Sequence, residues 1–315
     1  MSPTKVILRS FQIAFPKAIK TGWLLLRMIL PISLGVRLLD YYGLLNFLAG
    51  YISPVFEWIG LSGNTAIVFL TSIFLPLYAP LAIMTSMAIT MREATILAIM
   101  CLVSHNMPVE CAIQRKTGSS FMGMFLLRVA MSLIMAFVLH HILPADGWKP
   151  WIVSTPVTRD MTVPDLLEIW FFTSIRISFL IISVITLLMM LQQIMLAYKV
   201  LDKLIKPIKP VMRLFGLPEN TGFLWMIGNI VGLSYGGAIM VEEVKEGRIT
   251  KEDCNLLNHH LAISHSLLED TLIFVAVGVS AGWIIFTRIF FAILVVWTAR
   301  LIQHIKTETI TQRLR

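Results

Sequence analysis

Two short stretches of this chain carry the same chemistry in the same order. One is Ser104-His105-Asn106-Met107-Pro108-Val109-Glu110, the other Ser264-His265-Ser266-Leu267-Leu268-Glu269-Asp270. Each places a hydroxyl beside an imidazole, with a carboxylate five residues beyond the imidazole. Histidine titrates nearest physiological pH, so a His–carboxylate set can hold and release a proton. The same residue types suit several divalent metals, which makes His105, Glu110, His265, Glu269 and Asp270 the ligand candidates if a metal is carried. His265 and Glu269, four residues apart, would share a helical face, whereas His105 and Glu110 need not. Arg128 and Arg288 interrupt the apolar runs Phe125–Met131 and Ile284–Phe291. A guanidinium grips carboxylate or phosphate in a bidentate way, so each Arg is either an anion contact or the ion-pair partner of the acid in its own half. Asn64-Thr65 and Asn220-Thr221 each open an apolar segment. Asn is a favoured helix cap, and such a helix start also offers backbone N–H groups to a polar ligand. The chain has no Walker motif, no GxSxG and no HExxH, so binding and ion exchange are expected rather than catalysis. Neither enzyme activity nor a cofactor is expected.

These coincidences belong to a longer repeat. An offset of 160 pairs Ser104 with Ser264, His105 with His265, Glu110 with Asp270, Gly118 with Gly278 and Arg128 with Arg288. Upstream, an offset of 156 pairs Pro54-Val55, Gly60-Leu61 and Asn64-Thr65 with Pro210-Val211, Gly216-Leu217 and Asn220-Thr221. Two unrelated apolar helices match Leu and Ile by chance, but not His, Asn, Arg and Gly together. The chain is a duplication.

The elements that hold these residues are membrane helices. Of the 315 residues, 57% are hydrophobic and only 14% charged, with mean hydropathy +0.80, against roughly 25% charged in soluble domains. A helix needs about 20 apolar residues to cross the hydrocarbon. Gly22–Leu39, Thr65–Ile89, Ser120–Leu143, Ile169–Ala197, Asn220–Met240 and Ser280–Ile302 qualify. Continuous runs of this length exclude the alternating pattern of a β-barrel. The net charge of +8 reads as basic cytoplasmic loops rather than nucleic-acid binding. Cys101, Cys111 and Cys254 form no CxxC and imply no disulfide framework. Basic, amphipathic Lys5–Lys20 reads as an interfacial helix before the first span. The eighteen methionines suit pliable packing.

Charge predicts how the halves are oriented. Tyr41–Gly63 holds no Lys or Arg, whereas its counterpart Tyr198–Pro218 holds Lys199, Lys203, Lys206, Lys209 and Arg213. The positive-inside rule puts the second segment in the cytoplasm and permits the first outside. The reading is an all-α polytopic membrane protein of two inverted-topology repeats, with about six full spans, two re-entrant segments and two interfacial helices. Ala94–Gly118 and its counterpart, residues 254–278, are the expected re-entrant segments. Residues 1–21 form the cytoplasmic helix, 22–144 the first repeat, 145–168 an extracytoplasmic linker, 169–302 the second repeat and 303–315 a cytoplasmic tail. Val241–Asp253 is expected outside. Trp58, Trp225, Trp283 and Trp297 read as interface residues, and Gly228 with Gly232 fits a small-xxx-small helix contact. Ionisable groups at membrane depth face a cavity or a partner. Ser104, His105 and Glu110 are therefore expected to converge with Ser264, His265, Glu269 and Asp270 between the halves, with Arg128, Arg288, Asn64 and Asn220 as further contacts.

Gly60-Leu61-x2-Asn64-Thr65, its copy at Gly216–Thr221 and Ser-His-Ser-Leu-Leu-Glu-Asp-Thr at Ser264–Thr271 resemble the nucleoside recognition, or Gate, domain. That family is similar to spore maturation proteins A and B, and more distantly to concentrative nucleoside transporters and the membrane core of ferrous-iron transporters. The resemblance runs from about Gly22 to Ile302. It implies a secondary-type transporter of a small polar or anionic solute, nucleoside-like or a phosphorylated metabolite, in a bacterial inner membrane with both termini cytoplasmic. A divalent metal permease, a lipid or lipid-carrier translocase and a non-transporting assembly factor are the alternatives. The ferrous-iron relatives carry a GTPase domain and membrane cysteine motifs that this sequence lacks. Expected partners are membrane lipids, the solute or ion, and a second copy of the chain in a homo-oligomer, but no nucleic acid.

Overall fold

A computed structural model describes residues 3–44, 53–144, 161–198, 200–230 and 232–313. Among the described residues the regular structure is helical. A chain of this hydropathy has little choice, because a helix is the open-ended element that satisfies every backbone N–H and C=O internally. Helix α1 (Pro3–Tyr41) is followed by a short helix α2 (residues 53–58), then α3 (Ala66–Phe74), α4 (Tyr78–Met84), α5 (Met91–Ser104), α6 (Met107–Lys116) and α7 (Phe121–Ile142). The second half has α8 (Val163–Ala197), α9 (Val200–Leu214), α10 (Gly222–Ile230), α11 (Leu233–Lys245), α12 (Lys251–Ser264), α13 (Leu267–Ala276) and α14 (Ala281–Arg313). Of these, α7, α8 and α14 are each long and apolar enough to cross a membrane. The linker expected at 145–168 lies outside the described residues up to 160.

Element boundaries recur at the sequence offsets. Helices α5 and α6 stand to α12 and α13 at 160, and α3 to α10 at 156. A single turn of 3-10 helix precedes α3 at Gly63–Thr65 and α10 at Glu219–Thr221. Even the irregular backbone repeats: Asn106 and Ser266 have φ of 49° and 52°, and Gly60 and Gly216 have φ of 72° and 71°.

The structure revises which segments fold back. Thr65–Ile89 and Asn220–Met240 are not single helices. The first breaks at 75–77, and the second is two helices, one ending at Ile230 and the next starting at Leu233. A Cβ added to Gly236 would lie 3.2 Å from the Gly228 Cα. Eight residues of continuous helix would instead separate these positions by about 12 Å. Thus α10 and α11 form a hairpin crossing at two glycines, and the close contact is Gly228–Gly236 rather than the Gly228–Gly232 spacing read from sequence. Gly232, at φ 94°, starts α11 instead. Helices α5 and α6 meet at a 40° bend, as a broken span or a re-entrant loop would. Arg92, in the first turn of α5, hydrogen-bonds His140 near the end of α7, through His140 Nδ1 at 2.9 Å and the His140 carbonyl. Beyond the bend, Glu110 on α6 meets Arg128 nearer the start of α7. The bent pair α5/α6 therefore runs antiparallel to α7.

A further difference lies at the N-terminus. Lys5–Lys20 does not form a separate interfacial helix; α1 continues for 39 residues through Pro16 and Pro31. That is about 58 Å, against about 30 Å of hydrocarbon.

The chain packs as two compact units, each drawing on both repeats. One comprises Met1–Met107, Ser132–Tyr198 and Asp270–Ile284; the other comprises Pro108–Met131, Lys199–Glu269 and Ile285–Arg315. In the first, α1 packs along α8 and against α4, and Ala18, Leu26, Ala82 and Ile185 are buried together. In the second, Met212, Phe215, Leu224, Met240, Leu257 and Leu261 belong to one apolar cluster.

Candidate ion and solute site at the helix breaks

Both long inner helices are interrupted next to a histidine. Ser104 ends α5 and Ser264 ends α12; His105 and His265 then adopt extended backbone, with ψ of 153° and 159°. The following residue takes a left-handed conformation, and a new helix begins. An interruption frees carbonyls that would otherwise be bonded within the helix. The imidazoles turn back onto the last turn: His105 Nδ1 lies 3.1 Å from the Cys101 carbonyl, and His265 Nδ1 lies 2.7 Å from the Leu261 carbonyl, which also accepts the His265 backbone N–H at 3.1 Å. A carbonyl only accepts. Each Nδ1 therefore carries hydrogen, and Nε2 is the nitrogen left for exchange.

In the second unit, His265 Nε2 lies 3.3 Å from Glu110 Oε2, and the same carboxylate is 2.6 Å from Arg128 Nη1. The three side chains are almost completely buried. With Nδ1 already donating, a neutral imidazole would turn a lone pair toward the carboxylate. The 3.3 Å contact is an ion pair only when the imidazole carries a second proton. Glu110 and Arg128 form the within-half ion pair that sequence allowed. His265, however, meets the acid of the other repeat. The break puts His265 at the end of α12 and Glu269 on α13, so the helical i, i+4 relation does not apply. In the first unit, ligand atoms of His105 and Asp270 lie within 4.8 Å of one another. This is the same exchange between repeats, since 105 and 270 correspond to 265 and 110.

Arg288 holds the break from the side. Its Nε donates to the Ile263 carbonyl at 2.8 Å, and Nη2 to the His265 carbonyl at 2.5 Å. The hairpins buttress the same positions: Asn106 N–H donates to the Ser72 carbonyl and Ser266 N–H to the Gly228 carbonyl, both at 2.9 Å. Ser104 Oγ lies 3.1 Å from Ser72 Oγ, and Ser264 Oγ 2.7 Å from His260 Nδ1. Neither serine acts alone.

Asn64 and Asn220 sit inside the 3-10 turns rather than at their N-cap positions, which are Ser62 and Pro218. Thr65 and Thr221 bond back to the Ser62 and Pro218 carbonyls instead, each at 2.6 Å. Asn220 Nδ2 donates to Asp253 at 3.2 Å. Trp58 and Trp297 are exposed, but Trp225 turns inward and its Nε1–H donates to His260 Nδ1 at 3.2 Å. Ser72 and Gly236 were not singled out as site supports by sequence. The signal for both was their position at the break of a segment that looked like one span.

Residues 23–114 match the family model described as nucleoside recognition. That segment is similar to the nucleoside recognition, or Gate, family, and the match covers the first hairpin, the break at His105 and Glu110. The chain is also similar to an uncharacterized membrane protein of Bacillus subtilis (strain 168), YvoD, at 27% identity over 281 residues, covering 87% of this chain and 89% of that protein. Apolar helices and a membrane-protein relative together make it a membrane protein. No solved structure matches the chain.

Proposed function

We propose that this protein is a secondary transporter of a small polar or anionic solute, nucleoside-like or a phosphorylated metabolite, coupled to proton movement at the helix breaks. The observation that carries this reading is the buried His265–Glu110 pair at 3.3 Å, which ties the titratable group of one repeat to the acid of the other. A charge at membrane depth is costly and marks ion or solute pathways. Discontinuous helices flanking the midplane are the recurring binding element of transporters.

The topology that fits is inverted, with reassigned segments. Helices α1, α5/α6, α7, α8, α12/α13 and α14 cross, while α3/α4 and α10/α11 enter and return. This keeps six crossings and two re-entrant segments but exchanges their identity. It puts Arg115, Lys116 and the basic run through Arg213 on the cytoplasmic side with both termini, as the positive-inside rule requires, and moves Val241–Asp253 to that side. Reciprocal contacts support the inversion. Gly118 abuts the Lys251 carbonyl within the second unit, and Gly278 abuts Met91 within the first. Adding 160 converts one contact into the other. The bacterial inner membrane is the location this topology suits. No chemical step is assigned to the protein.

The test is a thermal-shift screen of the purified protein against nucleosides, phosphorylated metabolites, organic anions and divalent metals, followed by uptake into proteoliposomes. A specific ligand stabilises the fold by RT ln(1 + [L]/Kd). Solute stabilisation lost in the His105→Ala/His265→Ala double variant supports the reading, and stabilisation that survives in it removes the helix breaks from solute binding. The proximity of His105 and Asp270 ligand atoms, within 4.8 Å, favours a divalent metal permease as the second reading. A metal hit with no solute hit would select it.

A further inference from the structure

The two repeats are unequal where their bent helices meet. In the second unit α6 runs antiparallel to α12, and the contact is a buried amide network. Gln114 Nε2 donates to the Asn258 carbonyl at 3.1 Å. Asn258 Nδ2 donates to Thr117 Oγ1 at 2.8 Å and to Ser119 Oγ at 2.9 Å. The Thr117 hydroxyl gives its own hydrogen to the Gln114 carbonyl at 3.0 Å, and that of Ser119 goes to Asn255 Oδ1 at 2.8 Å. At the equivalent positions 160 residues away stand Phe274, Val277 and Val279, with Ala98 in place of Asn258. All four are buried apolar residues of the first unit. The fold itself therefore does not require polar groups here.

The network leaves one kind of atom over. Both hydroxyls donate elsewhere, so they must accept from Asn258, which fixes its nitrogen toward them and its oxygen away. Gln114 is fixed likewise by its bond to the Asn258 carbonyl. What remain are two amide oxygens, Gln114 Oε1 and Asn258 Oδ1, both buried and with no hydrogen-bond donor among the described residues. Both side chains are 0% exposed. Burying an unmatched carbonyl is unfavourable, and two in one cluster call for a hydrogen-bond donor or a cation. Helix α6 ends at Lys116, so its negative dipole end lies at this cluster. Carboxylates are missing from the oxygen set, whereas divalent cations favour them.

The geometry points to a monovalent-cation site, sodium-like in chemistry, at the α6–α12 junction with Gln114 Oε1 and Asn258 Oδ1 as ligands. It is separate from the His265–Glu110 pair. As a binding site it stands by itself; as a coupling site it rests on the transport reading above.

The experiment uses the purified full chain in lipid nanodiscs, titrated with sodium chloride against choline chloride at constant ionic strength. The melting temperature is expected to rise with sodium and not with choline. Equilibrium dialysis with labelled sodium should give one site per chain. Gln114→Met, which keeps side-chain length but removes the oxygen, should weaken the sodium response at least tenfold. Phe274→Leu, at the equivalent apolar position, should leave it unchanged. Asn258→Asp is the second variant and should move the preference toward calcium. Identical melting in sodium and choline overturns the site, as does a native sodium response in Gln114→Met. Sodium binding with no solute hit would remove the transport reading and keep the site; a solute hit with no sodium response would do the reverse.

Discussion

His265 Nε2 lies 3.3 Å from Glu110 Oε2, although 155 positions and a change of repeat separate the two residues. The carboxylate is also held by Arg128 at 2.6 Å, so one buried acid joins an imidazole to a guanidinium. Four expectations follow from this pair and its supports.

Glu110→Gln leaves Arg128 buried without its counter-charge. Removing one partner of a buried ion pair costs about 3–5 kcal/mol, and the variant should melt well below the native protein in nanodiscs. Replacing both, as Glu110→Gln/Arg128→Met, should recover most of that loss. If the double variant melts no higher than the single one, the charge imbalance is not the cause.

His265→Gln keeps a polar side chain at the break but cannot accept and release a proton. Folding should be near native, because Arg288 still holds the Ile263 and His265 carbonyls. Proton uptake on solute addition, followed with a pH dye in weakly buffered proteoliposomes, should fall by about one proton per cycle. Unaltered stoichiometry would remove His265 from coupling.

Gly236→Val places methyl groups against the Gly228 backbone, where a Cβ alone would sit at 3.2 Å. Overpacking of this kind costs about 1–3 kcal/mol, and here the obstacle is backbone that cannot rotate away. Gly35→Ala is the matched control, since nothing lies within 4 Å of its added Cβ. The melting temperature should drop for Gly236→Val and stay within error for Gly35→Ala.

Single cysteines at Thr90 and Lys116, in a background with Cys101, Cys111 and Cys254 replaced, mark the two ends of α5/α6. Both native residues are exposed. A membrane-impermeant maleimide should label them from opposite sides of oriented vesicles. Labelling of both from one side would restore residues 94–118 as a re-entrant segment.

Much of this arrangement was legible before any coordinates. His105 and His265 were singled out by their duplicated surroundings, and the breaks beside them by Pro108 and by polar residues amid apolar ones. Arg128 as partner of Glu110 was one of two open readings, and helix spacing alone could not choose between them. Other expectations failed for a physical reason. Helix propensity and hydropathy are additive along the chain, so Thr65–Ile89 and Asn220–Met240 read as spans although each turns back. At Gly228 and Gly236 the turn is stabilised by backbone approaching backbone, a contact that leaves no apolar period to detect. Asn64 and Asn220 had the residue type of a cap, but Thr65 and Thr221 occupy the geometry that bonds the turn.

By itself the sequence determined that the chain is helical and membrane-embedded, that it is a duplication, and that a His–acid pair stands in each copy. Composition and local hydrogen bonding decide those properties, and both act over a few residues. Only the tertiary structure decided that His265 meets the acid of the other repeat, that Gly236 packs against Gly228 where Asn220–Met240 read as one helix, and that one helix junction is an amide network while its counterpart is apolar. Those outcomes depend on which distant faces pack together, and packing is settled by shape and charge complementarity across the whole fold, which no local window contains.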